Sequence, residues 1–536
     1  MPNDQLSPKA QRFLDIYKNA LEAEKNYDAA EEEKVTVHQV SGKIAFFYEK
    51  LRNSVDYKEE HLLRKNAIKR ILKRRVMTEK NEADVAKFLV YELVRARYLP
   101  DKKIPVRRIK DIELIIQKYT FLLNNMPSQK GTKKTQDEAL FEWIIGIASC
   151  EIEEGLVPHG KENAIVNFAR EVMEEKIKVQ EGLNIKPDLE KELIYVAVIK
   201  NLNKADTDMI RYRLFITKHP EWIFAPSEDT ISKMAPVMGK VVSGVDKIIN
   251  HKHADDFIKA VRTNRAYLTI LQDVIFKNSQ EVDRVFSHHY RIEDAVKETC
   301  VKEYRVAHTK LNRAAKRSIV YIFITKVVLA LIIELPFDKY IVGHINYFAL
   351  GVNILFPPIL MALAVMKVSV PSKKNTELIV TGIKNMLYGE YGKPMIIKRA
   401  PTPNAFFLTA FRFLYLVVFL ASFGLIIFTL NKLGFNFISM GLFCFFLSVV
   451  SYFSIRIRQN ARELQVVKKK EGTIGFMTEL FFMPILQVGK WLSAEMSNLN
   501  FFVYIMDFII EAPFKTFVDI FEQWIYYLKE EKDKIE

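Results

Sequence analysis

Apolar residues are concentrated in four long stretches in the second half of the chain, and their lengths predict transmembrane helices. The stretches cover residues 318–335, 345–366, 405–430 and 435–455. At ~1.5 Å rise per residue, a helix of about 20 residues crosses the ~30 Å hydrocarbon layer of a bilayer. Connections of a few residues follow the first and third stretches, so the four spans form two hairpins.

The first 317 residues alternate apolar and polar positions with the period of amphipathic helices. No run of alternating β-branched residues stands out, which favours an all-α fold. We predict a helical N-terminal domain at 1–278, a connecting helix at 279–317, a transmembrane domain at 318–456 and an amphipathic C-terminal region at 457–536. Within the first domain, helices are predicted at residues 59–75, 82–98, 108–125, 136–154, 161–180, 188–202, 207–218, 228–249 and 254–277.

Residues 279–317 contain neither proline nor glycine. Apolar residues recur there every three or four positions, which predicts one long helix that runs directly into the first span. Such a helix could transmit a signal or force to the membrane, or it could simply pack against its own domain. The sequence leaves both interpretations open.

The region after the fourth span contains two apolar segments, at 474–489 and 499–510, which are interrupted by charged residues and by Pro484. Neither has a charge-free run of about 18 residues, so neither is predicted to span the membrane. The expected arrangement of residues 474–525 is an interfacial amphipathic helix pair on the cytosolic leaflet. The alternative is a re-entrant hairpin inserted into the bundle.

Charge distribution predicts the orientation. The chain has 79 Lys and Arg against 64 Asp and Glu, a formal net charge of +15. Basic residues cluster at 302–317, 367–399 and 456–470, whereas the two hairpin turns contain only Lys339 and Lys432. The positive-inside rule therefore places both termini of this integral, multi-pass protein in the cytosol.

The basic clusters also predict the partners of the protein. Lysines and arginines at membrane ends bind anionic lipid headgroups, so the bilayer is the expected partner and nucleic acid is not. A basic helix at 64–75 is expected to remain solvated. The side chains predicted to contact anionic lipid are Arg313, Lys316, Arg317, Lys398, Arg399, Arg456, Arg458, Lys468, Lys469 and Lys470.

Two cations lie inside predicted spans, Lys326 in the first and Arg412 in the third. Both are in the same third of the membrane, which favours lipid-facing side chains that reach the headgroups over a role in a pore or substrate site. Glu334, at the other end of the first span, is interpreted as an interfacial residue. Asn353 precedes Pro357 and Pro358 in the second span, where the prolines predict a kink that either improves packing or lines a cavity.

Sequence motifs provide little chemistry. No nucleotide-binding, zinc-protease, nucleophile-elbow or EF-hand pattern is present, and the three cysteines are about 150 residues apart. Cys150, Glu151, Glu153 and Glu154 precede His159, but the acidic residues are interpreted as a solvated helix face. The histidines at 251, 253, 288 and 289 are likewise interpreted as surface residues. No catalytic, cofactor or metal site is predicted.

Three classes of function remain. A membrane-anchored scaffold, assembly or signal-coupling component requires only a helical cytosolic domain and anchors, and it would bind a protein partner or a second copy of itself. A channel or transporter requires polar groups that converge inside the bundle, for which Lys326, Asn353, Pro357, Arg412 and Ser448 are the candidates. A membrane enzyme requires a catalytic constellation that the sequence does not contain. We favour the scaffold and keep the channel or transporter as the alternative.

Overall fold

The computed structural model describes residues 5–29, 33–37, 59–76, 82–126, 134–223, 227–366, 371–398, 404–467, 472–498 and 520. It confirms that the fold is almost entirely helical. The chain divides into two compact units. The first contains residues 1–264, 385–398 and 502–536, and the second contains residues 265–384 and 399–501.

The first unit is built mainly from helices that agree closely with the predicted ones. Helix α5 carries Trp143 into the core, where its ring meets that of Phe215 edge to face. The helices are α1 Pro8–Ala29, α2 Glu60–Val76, α3 Glu82–Arg95, α4 Arg107–Asn125, α5 Lys134–Leu156, α6 Gly160–Lys176, α7 Pro187–Leu202, α8 Thr207–Lys218, α9 Glu228–Met234, α10 Met238–Ile249 and α11 Ala254–Arg262.

Three of the predicted helices in this region are wrong in part. The predicted helix 228–249 is interrupted by a 3-10 turn, Ala235–Val237, between α9 and α10. Residues 161–180 do not form one helix, because α6 ends at Lys176 and strand β1, Ile177–Val179, follows. Strand β1 pairs in parallel with β2, Met395–Ile397. The predicted helix 254–277 is broken at Thr263 and Asn264, and the next helix begins at Arg265.

The second unit contains the four candidate membrane helices. Its helices are α12 Arg265–Lys277, α13 Val282–Phe286, α14 His289–Leu329, α15 Tyr347–Met366, α16 Lys373–Tyr388, α17 Ala405–Lys432, α18 Phe437–Ala461 and α19 Thr473–Asn498. The last four residues of α16, 385–388, belong to the first unit. Within the part of the chain that the structure describes, four helices are long and apolar enough to cross a membrane: 289–342, α15, α17 and residues 437–459 of α18. The prediction of four membrane-spanning helices is confirmed at this level.

The predicted connecting helix is present from His289 onward. Residues 279–317 are not one continuous helix, since α13 ends at Phe286 and α14 starts after a break at Ser287 and His288. Helix α14 then continues for 41 residues and carries both the polar segment and the start of the first span. Two π-helical turns follow it, Ala330–Glu334 and Asp338–Val342, on either side of Leu335–Phe337.

Tight turns close both hairpins at one end of the spans, which we call the turn end. Gly343 and Gly434 have positive φ angles of 84° and 75° there, and glycine adopts this conformation without strain. The side chain of Asn346 accepts a hydrogen bond from the Ala349 amide and so caps α15. We call the opposite end, where the predicted clusters of lysine and arginine lie, the basic end.

Helix α19 packs against the middle of the spans. The Ser422 hydroxyl of α17 donates to the Phe481 carbonyl oxygen at 2.9 Å, and Ile485 is buried in an apolar cluster with Phe443 and Leu447 of α18. These residues lie near the centres of their helices, far from either end. This packing departs from the interfacial arrangement expected for residues 474–489 and favours the inserted alternative. Residues 499–519 and 521–525 of that predicted pair lie outside the described residues.

Candidate functional site

A charged site forms where the first span changes its winding. Lys326 lies in the last turn of α14, and Glu334 ends the first π-helical turn eight residues later. In an α-helix with 3.6 residues per turn, positions eight apart differ in direction by about 80°. A π-turn closes i→i+5 hydrogen bonds, so each of its residues rotates the chain by less. The wider turn thus returns Glu334 to the face of Lys326.

The two side chains form an ion pair that other helices complete. Lys326 Nζ lies 2.9 Å from Glu334 Oε1, and neither side chain is exposed. Asn353 Nδ2 of α15 donates to Glu334 Oε2 at 2.6 Å, and Ser439 Oγ of α18 donates to the same oxygen at 3.3 Å. The Lys326 ammonium also lies 4.8 Å from the centre of the Phe446 ring. We call Lys326, Glu334, Asn353 and Ser439 the ionic cluster.

Acceptor oxygens remain unused beside this cluster. Asn353 Oδ1 is buried and has no hydrogen-bond partner among the described residues. Pro357 and Pro358 have no amide hydrogen, so the carbonyl oxygens of Asn353 and Ile354 lack their usual donors four residues later. Both prolines are buried, and α15 remains helical through them. The site therefore keeps acceptor oxygens that its own donors do not use.

The lipid-facing interpretation of Lys326 is wrong, since the side chain is fully enclosed and paired. The interfacial interpretation of Glu334 is wrong for the same reason. The sequence contains an indication of this ion pair, because a lysine and a glutamate within one apolar run can stabilise each other in hydrocarbon. The sequence interpretation treated the two residues separately, with Glu334 at the watery end of the span, whereas the π-turn brings them together. Arg412 is exposed on α17 and lies outside the ionic cluster.

Further titratable residues lie between the ionic cluster and the turn end. Asp338 is 6% exposed and accepts a hydrogen bond from Asn436 Nδ2. Asn436 also accepts from the Ser439 amide at 2.8 Å, so it joins Asp338 to the ionic cluster. His344 is exposed, so this series of side chains ends at the surface of the bundle.

An apolar cluster lies on the other side of the ionic cluster, along a stretch where α18 also buries Ser448, Ser451 and Ser454. The buried members of the apolar cluster, which we call the apolar plug, come from three helices, and none carries a polar side-chain group that could hydrogen-bond water. Its members are Leu311 and Ala315 of α14, Met361 and Val365 of α15, and Val450 of α18.

The predicted lipid contacts differ in their exposure. Arg313, Lys316 and Arg317 are exposed on α14, and Arg456 is exposed on α18. Lys398 is exposed and Arg458 is half-buried. Arg399, Lys468, Lys469 and Lys470 lie outside the described residues.

The acidic segment of α5 in the first unit is not a solvated face, contrary to expectation. Glu153 is 2% exposed and accepts from Arg64 Nη2 at 2.7 Å and from His159 Nε2 at 2.8 Å. Glu151 pairs with Lys118 and accepts from the Tyr119 hydroxyl at 2.7 Å. Basic side chains on α2 and α4 therefore neutralise the buried carboxylates. Arg64 is buried in this network, and the side chain of Lys65 is only 3% exposed. The expectation that the basic helix at 64–75 is fully solvated is therefore wrong.

This buried network has the electrostatics of a structural site. Burial raises the pKa of the Cys150 thiol well above its ordinary value, which keeps it protonated and unreactive. Burial lowers the pKa of His159, but the hydrogen bond and charge of Glu153 outweigh it, so the pKa is raised overall. No cluster of three His, Cys, Asp or Glu side chains in the described ranges could hold a metal ion.

No protein-family model, curated protein or solved structure matches this chain. The function is therefore inferred from the geometry and chemistry of the molecule alone.

Proposed function

We propose that this protein is a multi-pass membrane protein of the channel or transporter class, and that the ionic cluster is the site where the transported species acts. The observation that supports this proposal is the convergence of polar side chains from three helices inside an apolar bundle. Charged residues within membrane helices are unfavourable unless paired, and they commonly mark ion pathways and proton relays. Of the candidates considered from sequence, Lys326 and Asn353 meet the requirement for convergence.

Stability alone gives little reason for this ion pair. Replacing a buried ion pair with apolar residues of similar volume is often neutral or stabilising, because the desolvation of two charges offsets their attraction. A bundle that needed only packing would be as stable with two apolar side chains at positions 326 and 334. The pair is therefore better explained by a task that requires charge.

Flux measurements test the proposal. The full-length protein would be reconstituted in liposomes, and uptake of protons, Na⁺, K⁺ and Cl⁻ would be recorded against empty liposomes. We expect flux of at least one ion, and its loss in the variant Lys326→Met/Glu334→Gln, which removes both charges together. Glu479→Gln, the same chemical change at an exposed position of α19, should keep the flux. Absence of flux of every ion from folded protein would contradict the proposal.

A second candidate, a membrane-anchored scaffold or signal-coupling component, is supported by α14. Its polar half is held by side chains of α16, where Lys384 pairs with Glu293 at 2.5 Å and Asn375 donates to the Tyr304 hydroxyl at 2.8 Å. The same helix contains Lys326 at its other end. A partner protein or second copy would bind the helical N-terminal region. For this function, Lys326→Met/Glu334→Gln should leave partner binding unchanged while flux is absent from all forms.

The proposed orientation places the basic end and both termini in the cytosol, with anionic lipid headgroups beside the exposed arginines and lysines. It rests on the positive-inside rule. Single cysteines at Lys339 and Lys374, in a background without the three native cysteines, would be labelled in intact cells with an impermeant thiol reagent. Only the cysteine at position 339 should react. Labelling of both positions from the same side would contradict the orientation.

A further inference from the structure

A series of titratable side chains leads from the middle of the bundle to its turn end. Lys326 and Glu334 are in contact at 2.9 Å, and Asp338 follows Glu334 by four residues, which is about one helical turn. Asn436 joins Asp338 to the ionic cluster, since its Nδ2 donates to Asp338 and its Oδ1 accepts from the Ser439 amide. His344 follows Asp338 by six residues. His344 is exposed, so the series connects an enclosed ion pair to the surface.

The composition of the ionic cluster restricts what it can bind. A metal cation at Glu334 would meet the Lys326 ammonium group, which already neutralises the carboxylate. An anion at Lys326 would have to displace Glu334, which three donors hold in place. Both charged side chains are fully enclosed, which disfavours either larger ion. A proton requires neither displacement nor additional space.

We propose that the ionic cluster is a proton relay, an inference that rests on the proposed channel or transporter function. The proton leaves Lys326 Nζ and bonds to Glu334 Oε1, which converts the ammonium and carboxylate into a neutral amine and a carboxylic acid. The step moves one proton and leaves every oxidation state unchanged. The acid then passes this proton to Asp338 and on to water at the turn end, and the amine takes up one proton from the basic end when the apolar plug opens. One proton therefore enters for each proton that leaves.

Asn353 is suited to both protonation states of Glu334. With a charged carboxylate, its Nδ2 donates to Glu334 Oε2, as observed. With a protonated carboxyl group, rotation of the amide by half a turn presents Oδ1, which is unpaired here, as an acceptor for the new O–H group. Asn353 thus positions the Glu334 carboxyl group in both states. Its Oδ1, which is unpaired beside the charged carboxylate, gains a partner when Glu334 is protonated.

The surroundings of the ion pair define its access. Helix α15 and residues 437–455 of α18 contain no Asp, Glu, Lys, Arg or His, and their titratable residues are Tyr347, Cys444 and Tyr452. The charged side chains in this part of the bundle are those of Lys326, Glu334 and Asp338 in the first span. The apolar plug lies between the ion pair and the basic end. Protons therefore exchange with the turn end in this conformation, and uptake from the basic end requires the plug to open.

The test uses full-length protein in liposomes that contain a pH-sensitive dye, with K⁺ and valinomycin to clamp the membrane potential. An imposed pH gradient should collapse faster than in empty liposomes. Glu334→Gln should slow the protein-dependent rate at least tenfold, whereas Glu479→Gln, the matched control on the exposed face of α19, should retain it. Asp338→Asn leaves the Lys326–Glu334 pair intact and keeps an acceptor for Asn436, so it folds independently of that pair, and it should slow the rate several-fold.

The outcomes separate this inference from the proposed function. Flux of Na⁺, K⁺ or Cl⁻ without proton flux overturns the relay and leaves the transport function standing. Absence of flux of any ion overturns both. Proton flux that Asp338→Asn and Glu334→Gln leave unchanged, in folded protein, also overturns the relay.

Discussion

Lys326 and Glu334 depend on each other, and a single substitution should reveal it. Lys326→Met leaves a buried carboxylate without its cation, and breaking a buried ion pair in this way lowers the free energy of unfolding by about 3–5 kcal/mol. Lys326→Met/Glu334→Gln removes both charges and keeps an oxygen acceptor for Asn353 and Ser439, so most of the loss should be recovered. A double-mutant cycle of thermal unfolding in detergent measures this coupling.

Arg412→Met is the control for that cycle. Arg412 is also a cation within a span, but it is exposed on α17. Its replacement should leave the free energy of unfolding unchanged or raise it, because it removes a charge from the apolar layer. Equal losses for Arg412→Met and Lys326→Met would contradict the assignment of Lys326 to the interior.

His159 should make stability depend on pH. Glu153 raises the pKa of His159 above the unfolded value of about 6.5. The contribution of His159 to the free energy of unfolding is therefore complete below that pH and is lost as pH rises through the folded pKa. The pKa of Glu153 is lowered, since the hydrogen bonds from His159 and Arg64 outweigh burial, and its contribution is lost only in acid.

Thermal unfolding between pH 5.5 and pH 8.5 measures this effect. The melting temperature of the unmodified protein should fall with rising pH more steeply than that of His159→Gln, which cannot gain a proton. Parallel profiles would contradict the coupling between His159 and Glu153.

At the scale of elements, Gly489 determines whether α19 belongs to the bundle. A Cβ atom there would lie 2.1 Å from the Ser448 carbonyl oxygen and 2.9 Å from Tyr452 Cβ, both of which lie on α18. Gly489→Ala should therefore separate α19 from α18 and expose the segment around Ile485 to protease or hydrogen exchange. Gly472→Ala, where a Cβ meets nothing within 4 Å, should change neither. Equal behaviour of the two variants would return α19 to the interfacial arrangement.

Most elements could be predicted from sequence because their signal is local. The apolar lengths of the four spans and the helical period of the first unit require no tertiary information. Strand β1 could not be predicted, since Ile177–Val179 becomes a strand by pairing with Met395–Ile397, more than 200 residues away. The packing of α19 was missed for a similar reason, because Gly489 shows its role only beside Ser448 of α18.

The candidate site was predictable in part. Asn353, Pro357 and Pro358 were identified as polar or irregular positions inside a span, and all three are buried. Glu334 is interpreted as interfacial from sequence because it lies at the end of the first span, where water is available. The π-turn that joins Glu334 to Lys326 departs from regular α-helical winding, and no residue pattern in the sequence predicts that turn. The site therefore became recognisable only from the path of the backbone.

At the scale of the whole molecule, α14 is a physical connection between the contacts of its polar half and the ionic cluster. Glu293 and Tyr304 hold its beginning to α16, while Lys326 lies near its end. A continuous helix of 41 residues transmits rotation or translation only while it remains stiff. If α14 couples the two ends, softening it should impair the membrane site without any change in that site.

Thr309→Gly/Lys310→Gly tests this coupling at two exposed positions between the two ends. Each glycine destabilises a helix interior by about 1 kcal/mol relative to alanine, so the length is kept while the helix is weakened. Hydrogen exchange of residues 305–315 should accelerate, and ion flux in liposomes should fall, relative to Thr309→Ala/Lys310→Ala. Unchanged flux despite faster exchange would mean that α14 anchors the bundle without transmitting to it, and signal coupling through this helix would be contradicted.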